Sequence, residues 1–420
     1  MKTLSFLVIV AMVVLFHSSA RAAPYTLEIV AQAGDIIDGR LITGFSQEVI
    51  RVGISDDREV AFFAYVAGPG ASDLSLMTQR RFIAGGGKVV DGWVPQFGSE
   101  PSLAINGLGD VAYKATIPNV ARGVFLNQNL LLLAGDVIDG EEISVIQDPP
   151  AINDAGTIVI KARPGPVKLS INSPSEIIVK HGILLDGFTV DSFSEPRINN
   201  AGDAVFRGSL EELLPGPSIA ALSPDGVLLK TGDLIEDLTV EIVRTVSAVT
   251  DAGDVLVSVS STGIDGEGVV FIGTQDQILF RTGDIVADIQ VSRITGNPVL
   301  NNRGQLAFLG FVDAPGETGY FPGMRGSLFA SGALVISEGD ILKGKVIREL
   351  HPEFDMNEHG DVAFKVMFTD FSHAVVLATP NIPEPSSFVL AMMGVVFLLT
   401  GRSVQNPVRA CPTRNEEVMR

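Results

Sequence analysis

Ile152-Asn153-Asp154-Ala155-Gly156-Thr157-Ile158-Val159-Ile160 decides the fold, because the chain writes this pattern seven times. An Asn opening a four-residue turn can hydrogen-bond the backbone two residues on, and Gly in fourth place can take the φ > 0 conformation that closes the turn. The run from Thr157 to Ile160 is β-branched and reads as a strand. NxxG followed by a strand is a tight hairpin. The turns open at Ser55, Asn106, Asn153, Asn199, Thr250, Asn301 and Asn357. Their fourth residues are Arg58, Gly109, Gly156, Gly202, Gly253, Gly304 and Gly360. Successive copies lie 46 to 56 residues apart.

A second mark precedes each turn by 17 to 21 residues. It reads AGDIIDG from Ala33, GGKVVDG from Gly86, AGDVIDG from Ala134 and HGILLDG from His181. It continues as TGDLIED from Thr231, TGDIVAD from Thr282 and EGDILKG from Glu338. Two marks in fixed order across seven copies establish an internal repeat.

Four strands of about six residues with short turns fill roughly 50 residues, one blade of a β-propeller. For the third unit the strands read as Gly123–Leu126, Leu130–Ala134, Ile143–Gln147 and Thr157–Ala162. Leu130–Leu133 and Ala374–Ala378 are apolar without alternation, which suits strands buried on both faces. After the last turn only Val362–Phe368 and Ala374–Leu377 read as strands, and the missing partner is Tyr25–Gln32. The expectation is an all-β, seven-bladed propeller over residues 23–379, closed by its N-terminal strand.

Residues 1–22 have the pattern of a secretory signal: Lys2, an apolar core from Leu4 to Phe16, and Ala20-Arg21-Ala22 before Ala23. The lone cysteine, Cys411, lies in the extreme tail, so the body carries no thiol. A net charge of -19 argues against nucleic acid as a partner. Residues 380–420 are a different object: Pro383-Glu384-Pro385, then Phe388 to Thr400 without a charge, then Arg402, Arg409, Arg414 and Arg420. This tail resembles the PEP-CTERM sorting signal of Gram-negative bacteria, and the body is similar to the tandem NxxGxxxF repeats found with such anchors. The resemblance implies a short membrane helix over 388–400 and transient residence in the inner membrane. It also implies processing by signal peptidase at Ala22–Ala23 and by an exosortase-type peptidase near Pro383–Pro385. The expected destination is the cell surface or the extracellular matrix. Unlike that family's usual ending, the chain runs 18 residues past Arg402.

The catalytic screen is empty of motifs. HExxH, GxSxG and the Walker loop are missing, and Gly85-Gly86-Gly87-Lys88 lacks the flanking residues of a phosphate loop. No cofactor motif is present. Beyond the signal the histidines are His181, His351, His359 and His373, of which His181 and His359 read as surface substitutions within the two marks. Asp35, Asp136, Asp233, Asp284 and Asp340 recur at one place in the GD mark. They form either an acidic ring for Ca²⁺ or sugar hydroxyls, or separate caps on their own turns. Lys88 and Ile183 at that same place favour caps. Trp93 and Phe97 offer a glycan platform, with core packing the alternative. Three functions remain: a non-catalytic surface or matrix propeller, a carbohydrate-binding propeller, and an enzyme on polysaccharide needing clustered carboxylates or a Tyr/His pair in the channel.

Overall fold

The computed structural model describes residues 24–381 except 47–50, 69–72, 99–100, 148, 165–169, 173–174, 212–217, 263–276 and 316–322. It is a seven-bladed β-propeller, with no helix among the described residues. The fourth blade shows the plan: Phe188–Ile198 innermost, then Ala204–Glu211, Ser218–Ser223 and Gly226–Lys230, each antiparallel to the last. Each of these strands pairs with the one that follows it in the chain.

All seven NxxG turns form, and each joins an innermost strand to the second strand of its blade. The fourth residue donates its N–H to the carbonyl of the first at 2.9–3.1 Å. The six glycines lie at φ between 71° and 94°. Arg58 takes the same geometry at φ 61°, where a side chain is strained. Its guanidinium Nε meets Asp361 Oδ2 of the seventh blade at 2.8 Å, an ion pair that holds it there. A Cβ on Gly156 would meet nothing within 4 Å, so only the backbone resists substitution there. Gly156→Val is therefore expected to destabilise by roughly 1–3 kcal/mol and Gly156→Asn by much less, read as shifts of a denaturant midpoint.

Closure follows the expected pairing. Tyr25–Gln32 lies antiparallel on His373–Pro380, with Tyr25 opposite Pro380 and Gln32 opposite Ala374. Interior blades follow suit: Asn129–Leu133 pairs with Ala121–Leu126. Those two strands belong to the second blade, beside Val111–Ile117, and not to the third as expected. The third blade takes Ser170–Asn172 and Ile177–Lys180 instead. Only the terminal blade needs a strand from a distant part of the chain, and that rule does not extend inward.

Seven hydrophobic clusters fill the seven blade-to-blade interfaces. The strand Val60–Val66 shows why its sequence does not alternate. Val60, Phe62 and Ala64 pack towards the seventh blade, while Ala61 and Phe63 pack towards the second. Ala374–Ala378 is likewise buried throughout. In Leu130–Leu133 only Leu132 is buried, because an outermost strand has solvent on one side.

The chain divides after Pro380, and Asn381–Arg420 is a separate unit. Ala22, Ala23, Pro383-Glu384-Pro385 and the 388–400 run lie outside the described residues. No described helix is long and apolar enough to cross a membrane.

Candidate functional site

Each NxxG asparagine does two jobs at once. Its Oδ1 accepts from the backbone four residues on, at Asp110, Thr157, Asp203, Gln305 and Asp361, at 2.7–2.9 Å. The bond two residues on that the sequence suggested is added only at Asn301 and Asn357. Its Nδ2 crosses to the next blade. Asn106 donates to Asn153 O, Asn153 to Asn199 O, Asn199 to Thr250 O, Asn301 to Asn357 O and Asn357 to Ser55 O, at 2.9–3.0 Å. Ser55 and Thr250 keep only the local bond, because a hydroxyl is too short to span two blades.

The second turn residues complete a belt around the axis. Gly107 N donates to Asp154 Oδ1, Asp154 N to Asn200 Oδ1, and Asn200 N to Asp251 Oδ1. Asp251 N then donates to Asn302 Oδ1, Asn302 N to Glu358 Oε1 and Glu358 N to Asp56 Oδ1. Asp56 N donates to Gly107 O and closes the circle. A Cβ at Gly107 would stand 2.7 Å from Asp56 Oδ2 and 3.0 Å from Asp154 Oδ1, so glycine is needed for this close approach. Burial, with Asp56 and Asp251 nearby, raises the Glu358 carboxyl, and the Asn302 N–H offsets part of that rise.

Inside the belt lies an axial cavity of about 300 Å³ lined by all seven innermost strands. Its floor carries charges that no repeat position announced. Arg51 of the first blade reaches across to Glu195 of the fourth, with Nη2 at 3.3 Å from both carboxylate oxygens. Arg197 Nη2 meets the same Glu195 at 3.3 Å and its Nε donates to Ser247 O. Burial pushes the Glu195 carboxyl up, but the two guanidiniums outweigh it and leave it below its usual range. Asp355 accepts from Ile54 N at 3.0 Å and Met356 N at 2.9 Å. Burial nevertheless pushes its pKa to about 6.

A raised carboxyl costs stability once it ionises. Its contribution is fully present below the unfolded pKa near 3.8 and is lost as pH rises through about 6. Asp355→Asn removes the charge and keeps one acceptor, while its Nδ2 faces the second of the two N–H groups that the carboxylate had satisfied. It is expected to flatten stability between pH 4 and 6, measured by urea unfolding across that range, while at pH 7–8 the stranded N–H offsets the gain from removing the charge.

The GD carboxylates do not converge. Asp35, Asp136, Asp233, Asp284 and Asp340 each accept the backbone N–H three residues before them, at 2.7–2.8 Å. They are five separate caps. No group of three or more His, Cys, Asp or Glu among the described residues is placed to hold a metal. Trp93 and Phe97 pack against the core between the first two blades, and Phe97 lies edge-on to Phe63 at 5.0 Å. His181 Nδ1 bonds Asp191 O at the surface. His351 and His373 form a buried pair 5.7 Å apart, beside Lys365, in the seventh blade. Nothing in the repeat marked them.

A search of curated protein sequences finds no match. Among solved structures the chain is similar to BBS1N in complex with ARL6DN, soaked with mercury, at 8% identity and TM-score 0.39, covering 86% of this chain and 98% of that one. It is also similar to a subtype N11 neuraminidase-like protein of a flat-faced bat isolate (H18N11), at 9% identity and TM-score 0.35, covering 86% and 95%. The N-terminal domain of Nup159 aligns at 10% identity and TM-score 0.34, covering 85% and 96%. At these scores the fold rests on the strand pairing above and not on the likeness. Residues 18–319, more than half of the chain, match one family model, and the chain belongs to that family, DUF7453, a family of unknown function.

Proposed function

We propose that this protein is an exported propeller of the cell surface or extracellular matrix, with a structural or binding role and no chemistry of its own. The observation that carries the non-catalytic reading is the state of the axial carboxylates. The carboxylates an enzyme on polysaccharide would need are clustered at the axis, as that alternative requires. Asp154, Asp251, Glu358 and Asp56 each accept a neighbouring blade's N–H, and Glu195 is clamped by two arginines. A general acid or a nucleophile must be free to exchange protons or attack. These groups are committed to blade-to-blade bonds, and Asp355, which burial raises to about 6, is held on both oxygens by Ile54 N and Met356 N.

The export reading is supported by the signal-like residues 1–22 and the PEP-CTERM-like tail. In it, signal peptidase cuts at Ala22–Ala23, residues 388–400 hold the chain in the inner membrane, and an exosortase-type peptidase cuts near Pro383-Glu384-Pro385. Thirteen apolar residues are short for a permanent span, which needs about 20, so retention is brief. The arginines beyond hold the end inside. Intact-mass measurement of surface-extracted protein tests this. The expected mature chain begins at Ala23 and ends near Pro385; one still ending at Arg420 would sink the sorting reading. A glycan array on the same material tests the role, and tight binding with hydrolysis would overturn the non-catalytic reading.

A further inference from the structure

Asn106-Gly107 is the one Asn-Gly pair in the chain. In the other turns that open with Asn the next residue is Asp154, Asn200, Asn302 or Glu358. The belt demands the exception, since a Cβ at 107 would stand 2.7 Å from Asp56 Oδ2. That demand brings a chemical hazard. A glycine nitrogen after asparagine has no side chain to keep it from the neighbouring Cγ, and its backbone turns freely enough to bring it there. Once that nitrogen gives its proton to a base, the uncovered electron pair can attack Cγ. The N–Cγ bond forms, the Cγ–Nδ2 bond breaks, and Nδ2 leaves as ammonia with a proton from water. Water then opens the five-membered imide at either carbonyl and leaves aspartate or isoaspartate at 106.

The folded turn holds the reacting atoms apart. Gly107 N–H points to Asp154 Oδ1 at 2.7 Å, so an electron pair uncovered there faces a carboxylate and not Cγ. Asn106 Oδ1 accepts from Asp110 N at 2.8 Å and its Nδ2 donates to Asn153 O at 3.0 Å, which together fix the plane of the side-chain amide. Bringing the nitrogen over Cγ requires the 106–107 peptide to rotate. That rotation breaks the Gly107–Asp154 bond and the Gly109 N–Asn106 O bond that closes the turn. Attack needs the two atoms in contact and aligned, and the native turn forbids both.

We propose that Asn106 is a self-modifying site guarded by the belt: when the belt opens, Gly107 N converts Asn106 to aspartate or isoaspartate, and the altered turn does not close again. Ser55 makes no crossing bond, so Asn106 makes the first one in the chain. Either product loses the Nδ2 donor and sets an oxygen against Asn153 O. Isoaspartate also puts an extra methylene carbon into the main chain before Gly107. That displaces Gly107 N from Asp154 and Gly107 O from Asp56 N, so one event breaks three bonds of the belt. A lasting opening is thereby written into the covalent chain where the second blade meets the third.

This inference rests on the fold alone and stands apart from the export reading. The full chain in dilute non-ionic detergent is held at mildly alkaline pH with and without unfolding guanidinium chloride, and conversion at 106 is followed by residue-resolved mass spectrometry. Conversion should be on the order of a hundredfold slower in the folded chain. Gly107→Ala in denaturant should slow it tenfold or more, which assigns the attacking nitrogen. Asp154→Ala should speed conversion tenfold or more without denaturant and leave the denatured rate unchanged, while the emission of Trp93, the only tryptophan, reports that the fold persists. That faster rate should not climb with denaturant below the unfolding transition, whereas escape through global unfolding would. After the denaturant is diluted out, a protease should spare chains that keep Asn106 and digest converted ones. Equal rates in the folded and denatured chains overturn the proposal. So does an Asp154→Ala chain that converts no faster than the natural one, which would make that carboxylate a bystander or the base. Converted chains that refold and resist the protease overturn the one-way step.

Discussion

Asn153→Ala is expected to lower the unfolding free energy by about 3 kcal/mol. The side chain is buried, with 4% of its surface exposed. Truncation strands Thr157 N, which loses Oδ1 at 2.8 Å, and Asn199 O, which loses Nδ2 at 2.9 Å. Each unsatisfied buried group costs about 1–3 kcal/mol. The chain itself supplies the graded control, since Thr250 keeps the local bond and lacks the crossing one. Asn153→Thr should therefore lose only the blade-to-blade share, about 1–2 kcal/mol. Asn153→Asp should be worse than Thr at neutral pH, because it sets a carboxylate oxygen against Asn199 O where an N–H had donated. Urea midpoints of the three variants decide the matter. A Thr variant as stable as the natural chain would mean that the crossing bond carries nothing, and an Ala variant no weaker than the Thr variant would say the same of the local one.

That double use of asparagine also explains how far the sequence could be read. The turn was legible because it is local: Asn and Gly at fixed spacing have a conformational meaning within four residues. The period and the complementary ends gave the propeller and its closing strand for the same reason, since each copy repeats one local pattern. Nδ2 reaching the next blade was not legible, because its acceptor is a carbonyl, which every residue has, and lies 46 to 56 residues away, or 302 where the ring closes. The axial charges were harder still. Arg51, Glu195, Arg197 and Asp355 sit at places that differ from blade to blade, so comparing copies discards them. Only ring closure brings Arg51 within reach of a residue 144 positions on. GDIIDG gives two adjacent apolar residues, and only the blade underneath decides which one faces water, as Ile36 does and Ile37 does not.

Acidification is expected to weaken the seam between the last and first blades by several kcal/mol between pH 6.5 and 4, and the buried histidine pair is the reason. His351 and His373 are 6% and 8% exposed, and the Nε2 of each has no hydrogen-bond partner. Lys365 lies beside them, its ammonium donating to Ser46 O of the first blade. Burial first, then the Lys365 charge, holds His351 down to about 3 and His373 down to about 4. Burial also lowers Lys365 to about 8, partly offset by Glu349, so it is still charged at neutral pH. Both histidines are thus neutral when folded and titrate near 6.5 when unfolded. The stability they contribute is present in full above 6.5 and is lost as pH falls towards 3–4, where the unfolded chain binds protons that the folded chain refuses. At about 1.4 kcal/mol per unit of separation, two such groups approach the whole margin of a typical domain, about 5–15 kcal/mol. Asp355 works against them, since its contribution grows as pH falls below about 6. The double variant His351→Leu with His373→Leu removes the titrating groups and keeps the site filled with apolar atoms. Its unfolding free energy should change less between pH 7 and 4 than that of the natural chain, by about 2 kcal/mol or more. Chemical unfolding at half-unit steps of pH reads this directly, and parallel curves for the two chains would place the acid sensitivity elsewhere.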